Sequence, residues 1–582
     1  MKAPNYRIMK IVLILLILVG FSGTCGILGI NLLVDHSETT KQLPSTTTPK
    51  DTIEKNDLDK LVEDKRIYES EKEDPIINLY VTAVQSTSGK NDSLYHLNHW
   101  YDLNSITSDS PRLDVIVQEG DEKGPKDKEI KTKGNTPNAT MEIRGNSSRT
   151  STQKSYKIKL LDSTGLWRGQ KTLNLNKHST DLTRIRNKLS FDYYKVIPNM
   201  TSLRTQFVHL YIKDLTAGEG ESQFVDYGLY THVEQVNERF LASRGLDSNG
   251  NLYKAINFEF FRYPSQLKLA DDKKYNKESF ESILEIKGSE DHTKLLKMLD
   301  DVNNLSLNIN DVFNHYFDRD NYLTWMATNI LFGNKDTLSQ NFYLYSPLNS
   351  EKWFFLPWDY DGAWDWYNDR EENKRTISEW QTGLSSYWGV VLHKRYFKDP
   401  ENVKALNEKI ESLSKIITKQ KTKELLDQYY PIVKPFITSQ PDINFLPTNV
   451  DRFDSIYRSL VNVPEKNKQE YYRTLENPMP IFLDQKKVSN GTYTFHWDYS
   501  YDLQGDDLTY DFQLAKDPSF STIVKQKKNM TRTKMVVKGL TPGPYYWRVI
   551  VKDSQGHQQI AFDNYENEDG LIYHGVKEFI VR

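Results

Sequence analysis

Cysteine is almost missing: Cys25 is the only thiol in 582 residues, and it lies inside the N-terminal apolar run. The chain beyond it therefore has no disulfides, no thiolate zinc sites and no cysteine nucleophile. Any metal must be held by oxygen or imidazole, which suits a hard cation such as magnesium or manganese. A charge excess is missing too. With 76 Lys and Arg against 79 Asp and Glu, the net charge of -3 creates no global field for nucleic acid or an anionic membrane. Internal repeats are absent, which excludes a solenoid or propeller. Long apolar runs are also scarce, with one exception at the N-terminus.

That exception is Ile11 to Val34, which carries no charge. As a helix rising about 1.5 Å per residue, it is long enough for the roughly 30 Å hydrocarbon core of a bilayer. Lys2, Arg7 and Lys10 precede it, and Asp35 and Glu38 follow. The positive-inside rule makes residues 1–10 a cytoplasmic tail, 11–34 a single-pass transmembrane anchor and the remainder extracytoplasmic. A cleaved signal peptide is the rival reading, although no small-x-small site follows the apolar run. Residues 35–75 are rich in Thr, Lys, Glu and Asp, the composition of a solvated stalk.

What is abundant is length and aromatic content. A chain of 582 residues exceeds one compact core, and 37% hydrophobic residues suffice to build several. From Pro478 to Arg582 short alternating runs recur, among them Tyr493 to Trp497, Tyr510 to Leu514 and Tyr545 to Ile550. Leu540-Thr541-Pro542-Gly543-Pro544-Tyr545 reads as a tyrosine corner, and Trp497 as a core tryptophan. Residues 478–582 thus read as an immunoglobulin or fibronectin type III-like sandwich.

Residues 76–475 read as α+β. Strands are expected at 76–81, 113–117, 141–144, 154–160 and 173–175, then a helix from about Asp181, then strands at 207–212 and 227–233. A second helix, capped near Asp318 or Asp320, shows Leu323, Met326 and Ile330 on one face. After Gly333-Asn334 comes Asp336-Thr337-Leu338-Ser339-Gln340-Asn341, and then a hairpin of 342–345 and 352–356. Antiparallel pairing about that turn returns the chain beside Asn341, so Asp336, Asn341 and Asp359 should converge at the hairpin's open end. Phosphoryl transfer needs such a set: one carboxylate to orient a hydroxyl, an amide and a second carboxylate to hold metal. Asn138-Ala139-Thr140 and Asn146-Ser147-Ser148 match glycosylation sequons.

These motifs, taken with Arg144-Gly145-Asn146-Ser147-Ser148-Arg149, Lys154-Ser155-Tyr156-Lys157-Ile158, Gly228-Leu229-Tyr230 with Glu234-Gln235-Val236, Asn251-Leu252-Tyr253-Lys254 and Pro357-Trp358-Asp359-Tyr360-Asp361, resemble the CotH spore-coat protein kinases. The resemblance covers about Ile76 to Leu460. It implies an atypical, two-lobed, kinase-like domain that uses ATP with Mg2+ or Mn2+ to phosphorylate Ser or Thr of secreted or spore-coat proteins. It makes Asp336 catalytic and Asp359 the metal ligand, with Asn341 assisting, and it places adenine between Tyr253 and Trp353. No conventional glycine-rich loop is present, so the turn at 145–148 would cradle phosphate. Lys157 is the first choice for the phosphate-binding lysine and Lys154 the second, with Arg144 or Arg149 as further phosphate contacts. A catalytically silent surface protein that binds a cell-wall or host partner is the other reading.

Overall fold

A computed structural model of the chain describes residues 59–582, except 70–74, 86–92, 101–110, 127–129, 131, 133, 146, 217–222, 368–377, 485–486 and 490. The expected tail and anchor (1–34), most of the stalk and Asn146 lie outside the described residues. Among the described residues, no helix is long and apolar enough to cross a membrane.

The first sheet joins β1 (Ile77–Val84), β2 (Leu113–Asp121), β3 (Gly124–Lys126), β4 (Ala139–Ile143), β5 (Tyr156–Leu160), β6 (Thr172–Asn176), β7 (Thr205–Asp214) and β8 (Val225–Val233). Their order is β1-β7-β8-β6-β5-β4-β2-β3, and β1 also pairs with β2. Val81 stands opposite Val117 on one side and Ile212 on the other. That double pairing closes seven strands into a barrel. The expected two-lobed kinase-like domain is corrected on this point: its first sheet is a seven-stranded barrel, because β1 pairs with both β2 and β7. Alternation fills the interior: Met141, Ile143, Tyr156, Ile158 and Leu160 are all buried. Asn138 is buried as well, its side chain bonded both ways to the Val117 backbone, so that sequon is closed to modification.

The helix expected from about Asp181, α1 (Arg186–Tyr194), starts later. Asp181 instead accepts hydrogen bonds from the Thr183 amide (2.9 Å) and hydroxyl (2.7 Å) and pairs with Arg186. A carboxylate that bonds its own downstream backbone stabilises a turn against the helix.

A second sheet runs β10 (Leu284–Ile286), β9 (Asn251–Ala255), β11 (Phe342–Ser346), β12 (Phe354–Pro357). Packed against it is α2 (Arg319–Phe332), capped by the Asp318 carboxylate on the Asp320 amide (2.9 Å) and ended by Gly333 in the left-handed region. The single apolar face expected for α2 is corrected: every residue from Asn321 to Phe332 is buried. Two of the polar ones donate to local carbonyls, Thr328 to that of Thr324 (2.7 Å) and Asn329 to that of Trp325 (3.0 Å).

Helices α3 (Lys419–Ile437) and α4 (Val463–Leu475) complete this body. Between them Asp442, 1% exposed, reaches back to the barrel. It accepts from the Leu229 amide (2.8 Å) and pairs with Lys177 (2.7 Å). Gly228 makes room for it: its φ is +75°, and a Cβ there would lie 2.0 Å from Asp442 Oδ2. Gly228→Ala should therefore cost about 3 kcal/mol or more. Urea unfolding would show a lower midpoint with the slope unchanged.

In residues 481–581, a sheet holding strands 492–496 and 534–538 faces another holding 509–515, 543–552 and 576–581. Phe495, Trp497, Phe512, Trp547 and Phe579 share the core between them. The Tyr545 hydroxyl donates to the Thr541 carbonyl at 3.0 Å. The Tyr501 ring stacks on Trp388 (5.7 Å), and its hydroxyl donates to the Lys398 carbonyl (2.9 Å), joining this layer to the helical body.

Candidate active site

β11 and β12 pair with Phe342 opposite Pro357, so the chain enters at Asn341 and leaves at Trp358 side by side. Asn341 and Asp359 flank that end, and both are left-handed, with φ of +58° and +56°. Asn and Asp are among the few side chains that tolerate this region, and such outliers gather at functional sites. Here the backbone turns sharply on each side of the hairpin.

Asp336, in the loop after α2, is fixed by its neighbours. Asn341 Nδ2 donates to its Oδ2 and Gln340 Nε2 to its Oδ1, each at 2.7 Å. Its own amide donates to Asn334 Oδ1 at 3.2 Å. Gly362 passes close behind; a Cβ there would meet Asp336 Cβ at 3.2 Å. The glycine of Trp358-Asp359-Tyr360-Asp361-Gly362 thus lets one loop pack against the other.

Three carboxylates crowd this end. Burial, then the charges of Asp361 and Asp359, push Asp336 up to about 7 against the two amide donors. Asp359 is raised as well, by burial and by Asp361, with Lys254, Arg144 and His178 opposing. His178 Nδ1 lies 3.7 Å from Asp361 Oδ2. Mutually repelling carboxylates with an Asn amide oxygen beside them fit a hard divalent cation, which takes oxygen ligands and relieves the repulsion.

Two cations face Asp359. Arg144, at the end of β4, lies 5.9 Å over the Trp358 ring, and Lys254 of β9 lies 5.7 Å over it. Burial lowers both, and Asp359 is the leading opposing charge for each. Arg144 also bonds Asn176 of β6, so the barrel and the second sheet both contribute cations.

The other candidates sit elsewhere. Lys157 pairs with Glu142 on the neighbouring strand at 2.8 Å and is 39% exposed, which makes it a surface ion pair of the barrel wall. Lys154 Nζ donates to the Arg149 carbonyl at 2.6 Å. Tyr253 and Trp353 are fully buried and touch each other, rings 6.0 Å apart at 36°. That is direct aromatic contact, with no gap for a purine between the faces. Tyr253 also bonds His292 Nδ1 through its hydroxyl at 2.8 Å.

The lysine facing Asp359 is therefore Lys254, which sequence reasoning passed over in favour of its neighbour Tyr253. The signal was available, since β-strand alternation sends residues 253 and 254 to opposite faces. Asp361 likewise stands in the sequence only as one residue of the Trp358-Asp359-Tyr360-Asp361-Gly362 motif. A third participant is Tyr343, which lies opposite Lys254 in register and 5.4 Å from the Trp358 ring, edge to face.

The raised carboxyls carry a pH consequence. Asp336 holds its proton to about 7 when folded but would lose it near 3.8 unfolded. Its stabilising contribution is thus present below about 4 and is lost as pH rises through about 7. A divalent cation supplies the missing neutralisation at high pH only. Magnesium or manganese should raise Tm more at pH 8 than at pH 5, and thermal scans at the two pH values would check this; an equal rise would refute it.

The chain is a kinase-like protein of mixed helix and strand, as its family match shows. Residues 141–471 match the family model described as CotH kinase protein, more than half of the chain, and the chain belongs to that family. It is 26% identical over 320 residues to inner spore coat protein H of Bacillus subtilis (strain 168), covering 53% of this chain and 80% of the relative. Among solved structures it is similar to the twitchin kinase region from C. elegans, at 16% identity and a TM-score of 0.12, over 16% of this chain and 20% of that one. Membership of a kinase family carries a general expectation of ATP and a divalent metal.

Proposed function

We propose that the protein transfers the γ-phosphoryl group of ATP to Ser or Thr hydroxyls of spore-coat or other extracytoplasmic proteins. The observation that carries this reading is the gathering of Asp336, Asn341, Asp359 and Asp361 at one hairpin end, with Arg144 and Lys254 facing them. Bound ATP with its divalent cation would supply the transferable group and neutralise charge on its oxygens.

The chain's own residues do the rest. Asp336 orients the acceptor hydroxyl and takes its proton at a carboxylate oxygen; a carboxyl raised to about 7 suits a general base near neutral pH. Asn341 and Gln340 hold both Asp336 oxygens, so the carboxylate cannot rotate away. Asp359 and Asp361, with the Asn341 oxygen, would hold the cation. Arg144 and Lys254 would meet phosphate oxygens, and the Trp358 ring beneath them limits their movement. The relative's name supports a spore-surface setting. The apolar run at 11–34 supports a membrane tether with the bulk of the chain outside.

The test uses the full chain with γ-labelled ATP, with and without Mg2+ or Mn2+, and with casein or the protein itself as acceptor. Metal-dependent label on protein Ser or Thr is expected. Asp359→Ala should lose that label together with metal-dependent nucleotide binding. A folded protein that binds ATP without labelling any acceptor, itself included, would favour the silent binding protein instead.

A further inference from the structure

We propose that the C-terminal sandwich carries its own calcium site, formed by Asp502, Asp506 and Asp553, at the seam where it meets the helical body. One carboxylate oxygen from each of the three lies within 4.8 Å of the other two. Two oxygens that share an ion about 2.4 Å from each lie no more than about 4.8 Å apart, and all three pairs here meet that condition.

An orphaned buried oxygen points independently to a ligand. Asp502 is 6% exposed, and its Oδ2 has no hydrogen-bond partner. Its Oδ1 is already taken by the amides of Gln504 (2.9 Å) and Asp506 (3.0 Å). A buried anionic oxygen left bare is costly, and a cation is the group that offsets it most fully.

The other two ligands are held ready. Asp553 Oδ1 accepts from the amides of Gln555 (2.9 Å), Gly556 (2.7 Å) and His557 (2.9 Å), and His557 Nδ1 lies 2.7 Å from its Oδ2. Asp506 Oδ1 accepts from the Ser554 hydroxyl (2.9 Å) and Gln555 Nε2 (3.0 Å). These contacts fix the carboxylates on two facing loops and leave each a lone pair for a metal. Asp506 is only half-buried, which leaves water access for the remaining positions. Magnesium demands near-ideal octahedral geometry at shorter distances, whereas calcium accepts irregular sets of six to eight oxygens.

The site's place gives it a role. Gln504 Nε2, in the same loop, donates to the Leu475 carbonyl (3.2 Å) at the end of α4, and Tyr501 just before it stacks on Trp388. Calcium would stiffen the loop that docks the sandwich on the helical body. It would do so without touching the acids at the hairpin.

The experiment titrates the full chain with Ca2+ by calorimetry and records Tm with calcium and with EDTA, beside Asp502→Asn, Asp506→Asn and Asp359→Asn. The wild type and Asp359→Asn should both bind calcium and gain Tm. Asp506→Asn should weaken that binding more than roughly tenfold, the scale at which even outer partners of a metal are felt. Asp502→Asn should lose the response and raise Tm in EDTA, because it removes the uncompensated charge. If Asp502→Asn does not fold, Asp506→Asn decides. A folded Asp506→Asn chain with wild-type calcium binding, or a wild type whose only calcium site disappears in Asp359→Asn, would overturn the proposal.

Discussion

Asp336→Ala should lower phosphoryl transfer by roughly 10²–10⁴-fold, the usual worth of a positioned general base. Fold and nucleotide binding should survive. The substitution removes a carboxylate that repels Asp359 and Asp361, so thermal stability at pH 8 should hold or rise. Nucleotide affinity reads the remaining acids and the two facing cations, which stay in place. The informative pattern is a fall in kcat with KM for ATP little changed. Equal losses in both parameters would mean that Asp336 builds the nucleotide site rather than acting on the acceptor hydroxyl. Asn341→Ala should lower kcat less at saturating metal, because Gln340 still holds the other Asp336 oxygen, and should raise the metal concentration needed, because an oxygen ligand is lost.

Lys254→Met should cost about 10²–10³-fold in kcat/KM, the range seen when one preorganised electrostatic donor is removed. Lys157→Met should stay near wild type. The contrast follows from placement alone: Lys254 lies over Trp358 with Asp359 as its leading partner, whereas Lys157 pairs with Glu142 on the barrel wall. Methionine keeps the aliphatic stem, so packing over Trp358 is retained while the charge is lost. Kinetics of the two variants under saturating metal would decide. Comparable losses would put a phosphate-binding role back on β5.

Much of the site was legible because its signals are local. Asp336 to Asn341 is a five-residue step, and the turn at 347–350 dictates that Asn341 and Trp358 meet. The cap at Asp318 and the stop at Gly333 also lie in the sequence next to the helix they bound. The errors were made where distance along the chain mattered. Barrel closure pairs β1 with β7, some 130 residues on, and no periodicity inside either strand announces its partner. The burial of α2 on all sides depends on elements packing around it from both directions, so its apolar stripe described only part of its contacts. Lys157 and Lys254 look alike as strand lysines; only the neighbouring strands decide which meets a carboxylate. Tyr253 and Trp353 were read as a gap for a purine, but a pair of aromatics marks a core as readily as a pocket.

The Asp442 clasp sets an order of assembly. Asp442 lies 213 residues beyond Leu229, whose amide it accepts. A ribosome therefore delivers the barrel and the hairpin acids at 336–361 well before it delivers their fastener. Until residue 442 arrives, Lys177 lacks its leading counter-charge in its buried site and the bend at Gly228 is unsupported. A chain synthesised from its N-terminus gains the fastener of its barrel only after the candidate catalytic segment has already emerged. Contacts of such long range are the slow part of folding. Premature termination between residues 362 and 441 should therefore leave a product with all its candidate catalytic residues and no settled fold to hold them.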